Sequence, residues 1–351
     1  MTQPSKPAPA MQRPVMNPTF EQWEVKRAKF VICWHLVVQG AKWLGRSLLR
    51  NPFAIAKTDE PRPSAVRVLV RMGISWAIFL PALTVVSAIG LVVQGTHPAP
   101  PPAVLDPNSQ GCYFESVTIT SEDGTELSGW MIPVVDARRV LAEKDKVLKS
   151  RRPAIALIHD LGQSPQQMLP LVKPLHDEGL NVLVVALRGC GTARTAGATF
   201  GIKEAADVSA AVALLRKTSF VDPNRIAVAG IGTGANAALL AAAKDPSIKT
   251  LVIANPLHNC DQAISARIAP RGSELAWMEP ICRWTFELMY KVNSDDLNYD
   301  RSAPVLKSHP SLVFDTGNPY VFGEPRSIAQ VRAFCRKTLA TQDRPAFGSV
   351  R

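Results

Sequence analysis

Few residues in this chain are placed to do chemistry. The run Gly230-Ile231-Gly232-Thr233-Gly234 lies between an apolar stretch, 226–229, and a small-residue segment, 235–243. Glycines at this spacing let the backbone turn sharply between a strand and a helix. Such a turn can cradle a phosphate on its N–H groups or present a nucleophile. The phosphate reading lacks its partners: no Lys-Ser/Thr pair follows, and the third glycine of a G-x-G-x-x-G pattern falls on Asn236. The nucleophile reading lacks an atom, because the central residue is Gly232. Thr233 is one step further on, and its side chain is expected to point away from the tip of the turn. Cys190, in Arg188-Gly189-Cys190-Gly191, is an alternative nucleophile without an evident acid or base partner, and an idle buried thiol is the favoured reading. Phe314-Asp315-Thr316-Gly317 carries the D-T-G of aspartic proteases, but those enzymes need two such carboxylates in a β-rich fold, and here there is one. None of the six cysteines has metal spacing with another Cys or a His, so no metal or cofactor is expected.

The elements that must position these residues alternate. Segments 113–120 and 127–134 read as two strands around the turn Glu122-Asp123-Gly124. Buried strands follow at 154–159, 182–186, 226–229, 251–254 and 312–314. Helices fall at 167–178, 203–217, 235–243, 275–292 and 327–339. Continuous apolar strands separated by helices of ten to fifteen residues predict an α/β fold, with a mostly parallel sheet covered on both faces. A composition of 46% hydrophobic and 20% charged residues excludes an intrinsically disordered chain.

Charge is uneven. Residues 1 to 71 hold twelve Lys or Arg against four acids, so this fifth of the chain carries +8 of the formal +11. The surplus lies just before an apolar run and not among base-reading side chains, which favours a membrane over nucleic acid as partner. Residues 72–93 form 22 consecutive uncharged positions, about 33 Å as a helix, enough to cross a bilayer. Arg67 and Arg71 flank its N-terminal side, and no Lys or Arg follows until Arg138. The expected topology is single-pass, with the N-terminus cytoplasmic and the remainder extracytoplasmic. The expected division is a basic segment 1–66 with an interfacial helix over 20–50, a transmembrane helix 67–95, a proline-rich linker 96–110 holding the domain off the bilayer, an α/β domain 111–342 and a disordered tail 343–351. Outside the cytoplasm, one or two disulfides among the five later cysteines are one expectation, and isolated buried thiols are the other.

Four stretches resemble the α/β-hydrolase superfamily, in its dipeptidyl-peptidase-like and lipase-like branches. FESVTITSEDGTELSGWMIP, from Phe114, is similar to the opening hairpin. IALIHDLGQS, from Ile155, resembles the strand and oxyanion loop. VVALRGCGTA, from Val184, resembles the D-x-R-G-x-G-x-S stretch. RIAVAGIGTGANAALLAA, from Arg225, resembles the strand, nucleophile elbow and helix. They come in the family's order and, with the elements between them, cover about two thirds of the chain.

The resemblance implies a triad that this sequence does not supply. The elbow G-x-S-x-G reads Gly-Ile-Gly-Thr-Gly, with Gly232 at the nucleophile position. The acid position falls on Tyr320, with Asp315 and Glu324 nearby. The last histidine, His309, precedes the strand that the catalytic histidine should follow. After His159, Asp160 replaces the usual glycine, and a carboxylate there would oppose a developing oxyanion. His159 is read as anchoring its loop, and Arg188 as pairing with Glu204 or Asp207.

The expectation is a membrane-anchored pseudo-hydrolase without catalytic residues. Its degenerate elbow and pocket comprise Gly230, Gly232, Thr233, Gly234, His159, Asp160 and Arg188, and a small molecule or protein could bind there. Its partners are the lipid bilayer and that ligand, with no nucleic acid. The alternatives are a serine-hydrolase-type esterase or peptidase with a displaced site, and an envelope scaffold whose basic N-terminal segment binds a cytoplasmic partner or anionic lipid.

Overall fold

The computed structural model describes residues 64–99, 101, 104–134, 151–193, 195–268 and 274–339. The expected interfacial helix, the tail and Cys33 lie outside the described residues. Contacts divide the chain after Pro81.

Helix α1, Ala65–Thr96, has 32 residues and includes Pro81. It is long and apolar enough to cross a membrane by length and composition. Large apolar side chains such as Leu69, Ile74, Trp76 and Ile78 are exposed along its first half. In a helix that meets water this pattern would be unfavourable; in lipid it is the expected one.

From Ala82 onward the chain forms one unit around a seven-stranded sheet. Its elements are β1 Glu115–Thr120, β2 Glu126–Ile132, β3 Arg152–Ile158, α2 Leu169–Asp177, β4 Asn181–Val185, α3 Glu204–Lys217, β5 Val221–Ile231, α4 Thr233–Lys244, β6 Ile248–Ala254, α5 Cys260–Arg267, α6 Glu279–Tyr290, α7 Tyr299–Ser308, β7 Ser311–Phe314 and α8 Pro325–Thr338. The strand order is β1-β2-β4-β3-β5-β6-β7. Strands β3 to β7 run parallel, and β2 pairs antiparallel with both β1 and β4.

The near-continuous apolar strands follow from burial on both faces. Along β3, Ala154, Ala156 and Ile158 point into a core shared with α3 and α4. The alternate residues Ile155 and Leu157 enter a second core with α2 and α8. Two helices, α5 and α7, went unpredicted. Helix α5 has almost no apolar periodicity in CDQAISAR, and α7 carries Pro304 in its interior.

A third cluster joins Ala88 and Val92 of α1 to Ala263 and Ile264 of α5 and to Cys282 and Phe286 of α6. The end of α1 is tied down further. Thr96 Oγ1 lies 2.6 Å from the Tyr290 hydroxyl, and the Thr96 carbonyl accepts from Ala198 N at 3.0 Å. In the proline-rich stretch after it, Pro98 and Leu105 lie against the domain. A Cβ added at Gly162 would lie 3.4 Å from Pro98, and Leu105 N donates to Gln166 Oε1 at 2.9 Å. Proline stiffness sets the extension of such a chain, but the hydrogen bonds and contacts offered by the 160–167 loop decide where it lies.

Cys112, Cys260, Cys282 and Cys335 are free and buried, which matches the expectation of isolated thiols at these positions. Burial pushes Cys260 and Cys335 up to about 12 and raises Cys112 and Cys282, so these thiols resist ionisation and exchange. The natively folded protein should therefore leave these four thiols unreacted with an aromatic disulfide reagent and release them in denaturant. Bridged peptides in a non-reducing digest would refute this.

Candidate functional site

The glycine run forms the turn between β5 and α4, at the C-terminal edge of the sheet. Gly232 has φ +57 and ψ −119, a conformation that costs an L-residue about 1–3 kcal/mol. The flanking glycines let the backbones meet. A Cβ on Gly230 would sit 2.3 Å from the Gly234 carbonyl oxygen, and one on Gly234 would sit 2.6 Å from that of Ile158. The backbone of a nucleophile turn is thus fully formed around a residue that has no nucleophile. Thr233 is buried, and its hydroxyl has no hydrogen-bond partner among the described residues.

The space above Gly232 is taken by Asp160. Its Oδ1 accepts from Thr233 N and from Leu161 N, both at 2.8 Å. These are the two backbone donors, one after the nucleophile position and one in the β3 loop, that would stabilise an oxyanion in this geometry. Asp160 Oδ2 faces Arg267 Nη2 at 3.2 Å, and Asp160 N donates to Gln167 Oε1 at 2.8 Å. A Cβ on Gly232 would come within 2.2 Å of Asp160 Oδ1. The carboxylate does more than oppose a developing oxyanion. It occupies the site where one would form, and it caps the N-terminus of α4, whose own N-cap residue has no side chain.

His159 is buried and holds the loop from both ring nitrogens. Its Nδ1 meets the Asp160 carbonyl at 2.7 Å, and its Nε2 accepts from Leu187 N at 3.1 Å. Burial pushes its pKa down, and the Asp160 carbonyl only partly opposes that. With Nε2 engaged as acceptor, the ring is a neutral tether.

Arg188 is also committed. Its Nε and Nη2 clasp Asp207 at 2.8 and 2.5 Å, and its Nη1 meets Asp123 at 2.8 Å. Burial would raise the Asp123 pKa, yet bonds from Arg188 and Thr125 outweigh it and hold it at about 2. Glu204, the other expected partner, instead accepts from Thr199 N, Thr199 Oγ1 and Gly201 N. Cys190 Sγ donates to the Gln163 carbonyl at 2.9 Å. The recess lined by His159, Leu161, Arg188, Cys190, Glu204 and Thr233 holds no water-sized space.

The strand order, with its antiparallel β2 and a left-handed glycine turn after β5, decides the architecture. This is an α/β-hydrolase fold.

No model of a known protein family matches the sequence. The uncharacterized protein YfhR of Salmonella typhimurium and that of Salmonella typhi are each 28% identical over 127 residues, 36% of this chain. The match spans only 40% of those relatives' length. Among solved structures, the Pyrococcus furiosus esterase Pf2001 aligns with 69% of this chain and 99% of its own, at 21% identity and TM-score 0.48. Porphyromonas gingivalis dipeptidyl peptidase 4 aligns with 65% of this chain and 36% of its own, at 14% identity and TM-score 0.42.

Within the hydrolase fold, the region of the acid is held by an asparagine. Asn255, at φ +46, accepts from Thr316 N and Gly317 N and donates to the Asn318 carbonyl at 2.7 Å. Tyr320 is exposed, Asp315 is exposed, and Glu324 bonds Asn318 at 2.6 Å. His309 caps the end of α7, before β7, so the parallel sheet puts it at the end opposite the elbow. Sequence reasoning missed Arg267 and Gln167 as partners of Asp160. Gln167 lay in a predicted helix, but Arg267 lies on α5, which has no apolar stripe to announce it.

Two outcomes follow. Gly232→Ser should destabilise the protein by about 2 kcal/mol or more, and Asp160→Ala should relieve part of that, with a coupling of about 1–3 kcal/mol in a denaturation cycle. Strict additivity would separate the two residues. Arg188→Ala, which strands the fully buried Asp207, should cost about 3–5 kcal/mol in the same assay, and a loss below 1 kcal/mol would remove the ion pair from the core's essential parts.

Proposed function

We propose that this chain is a membrane-anchored, non-catalytic hydrolase-fold protein that acts by binding or scaffolding. The observation that carries the reading is the Asp160 carboxylate, whose Oδ1 is 2.8 Å from both Thr233 N and Leu161 N above a glycine. An ester or peptide carbonyl would have to displace an anion from its own stabilising donors, and would then find nothing to attack it. The commitment of His159 to Leu187 N and the place of His309 before β7 further support it.

Anchoring is supported by the length and apolar exposure of α1. The flanking Arg67 and Arg71, against a far side without Lys or Arg until Arg138, favour a cytoplasmic N-terminus and an extracytoplasmic domain.

The test is covalent labelling. Full-length protein in detergent should show no labelling with a fluorophosphonate probe and no turnover of p-nitrophenyl esters above a heat-denatured control. Stoichiometric labelling would overturn the proposal, and peptide mapping would then locate the displaced nucleophile.

A further inference from the structure

Helix α6 buries Cys282 and Phe286 in the third core and also carries large apolar side chains on its solvent side. Trp284 and Leu288 lie at i and i+4, with Trp277 on the turn just before the helix. Trp277 is 62% exposed, Trp284 56% and Leu288 64%. The charged side chains are instead used within the domain. Arg283 bonds Ser294 Oγ at 2.7 Å, Asp295 at 2.6 Å and Asp261 at 3.2 Å, and lies 3.5 Å from Glu287. Two exposed tryptophans and an exposed leucine on one short stretch mark a surface that meets something other than water.

The location of this stretch says what it meets. Phe286 and Cys282 of α6 share one cluster with Ala88 and Val92, and Tyr290 bonds Thr96. Ala88 and Val92 belong to the 72–93 apolar run itself, and Ala88 lies about 8 Å along the axis from the end of that run. On the same 82–96 segment, Leu83, Val85 and Ile89 remain exposed. Packing against residues 88 to 96 therefore holds α6 level with the last turns of the span. That depth is the headgroup–acyl boundary, where tryptophan rings are favoured and an amphipathic helix buries its apolar face about 5–10 Å.

We propose that the face formed by Trp277, Trp284 and Leu288 beds into the outer interface of the bilayer that α1 crosses. The domain is then fixed against the membrane by a second, monotopic contact, with its elbow region beneath α5 and the end of α1. This rests on the anchoring reading above.

Full-length protein reconstituted in phosphatidylcholine vesicles separates the two claims. Flotation tests anchoring. Vesicles with brominated acyl chains test the docked face: wild-type protein should lose more tryptophan emission than the Trp277→Phe/Trp284→Phe variant, which keeps Trp76 as an internal reporter of the span. Equal loss in floating vesicles would overturn the docked face and leave the anchor standing. Failure to float would overturn both. A photo-crosslinking side chain at position 288 gives a readout without removing a tryptophan. A lipid adduct is expected there, and an adduct with a second copy or another protein would overturn the proposal.

Discussion

One carboxylate at one helix terminus organises this molecule's functional face. The first turn of α4 begins directly after Gly232, so its first N–H groups have no local side-chain acceptor. Asp160 supplies one from across the sheet edge and bonds Thr233 N. A charge-assisted bond to a helix N-terminus is stabilising. It requires space above residue 232, and glycine alone leaves that space. Asp160 and Gly232 are thus two halves of one arrangement, and each explains the departure of the other from a hydrolase pattern.

The surrounding parts serve this arrangement. The parallel strands β3 and β5 place the 159–162 loop beside the elbow. His159 ties that loop to Leu187, and Gln167 holds the Asp160 amide. Arg267 reaches down from α5 to the free carboxylate oxygen. Helix α5 in turn packs with α6 and the end of α1 in the third core, which also takes in Leu161 of the 159–162 loop. The Arg188–Asp207 pair lies beneath the 187–193 loop and fixes its shape from inside, which is why its guanidinium is unavailable to a ligand.

Much of this was legible from residue order. The apolar runs specified the sheet strands because burial on both faces leaves no polar positions to confuse the pattern. The parallel order and the glycine turn followed from strand and helix spacing. The choice between Glu204 and Asp207 as partner of Arg188 was not legible. Both lie at the start of α3, and only the direction in which Glu204 turns, toward Thr199 and Gly201, separates them. Where the proline-rich stretch lies was likewise not legible, because proline content reports stiffness and says nothing of the surface the chain lies on.

By itself the sequence determined that no side-chain atom can attack from position 232, since that is a matter of residue identity. It also determined the length of the apolar span. Tertiary structure alone decided that Asp160 fills the donor pair in place of merely lying near it, and that Trp284 lies on the outward side of α6 while Phe286 packs beside the end of α1. Hydrogen-bond distances of 2.8 Å and the side on which a helix packs depend on residues more than seventy positions apart, and local pattern carries no information about such pairs.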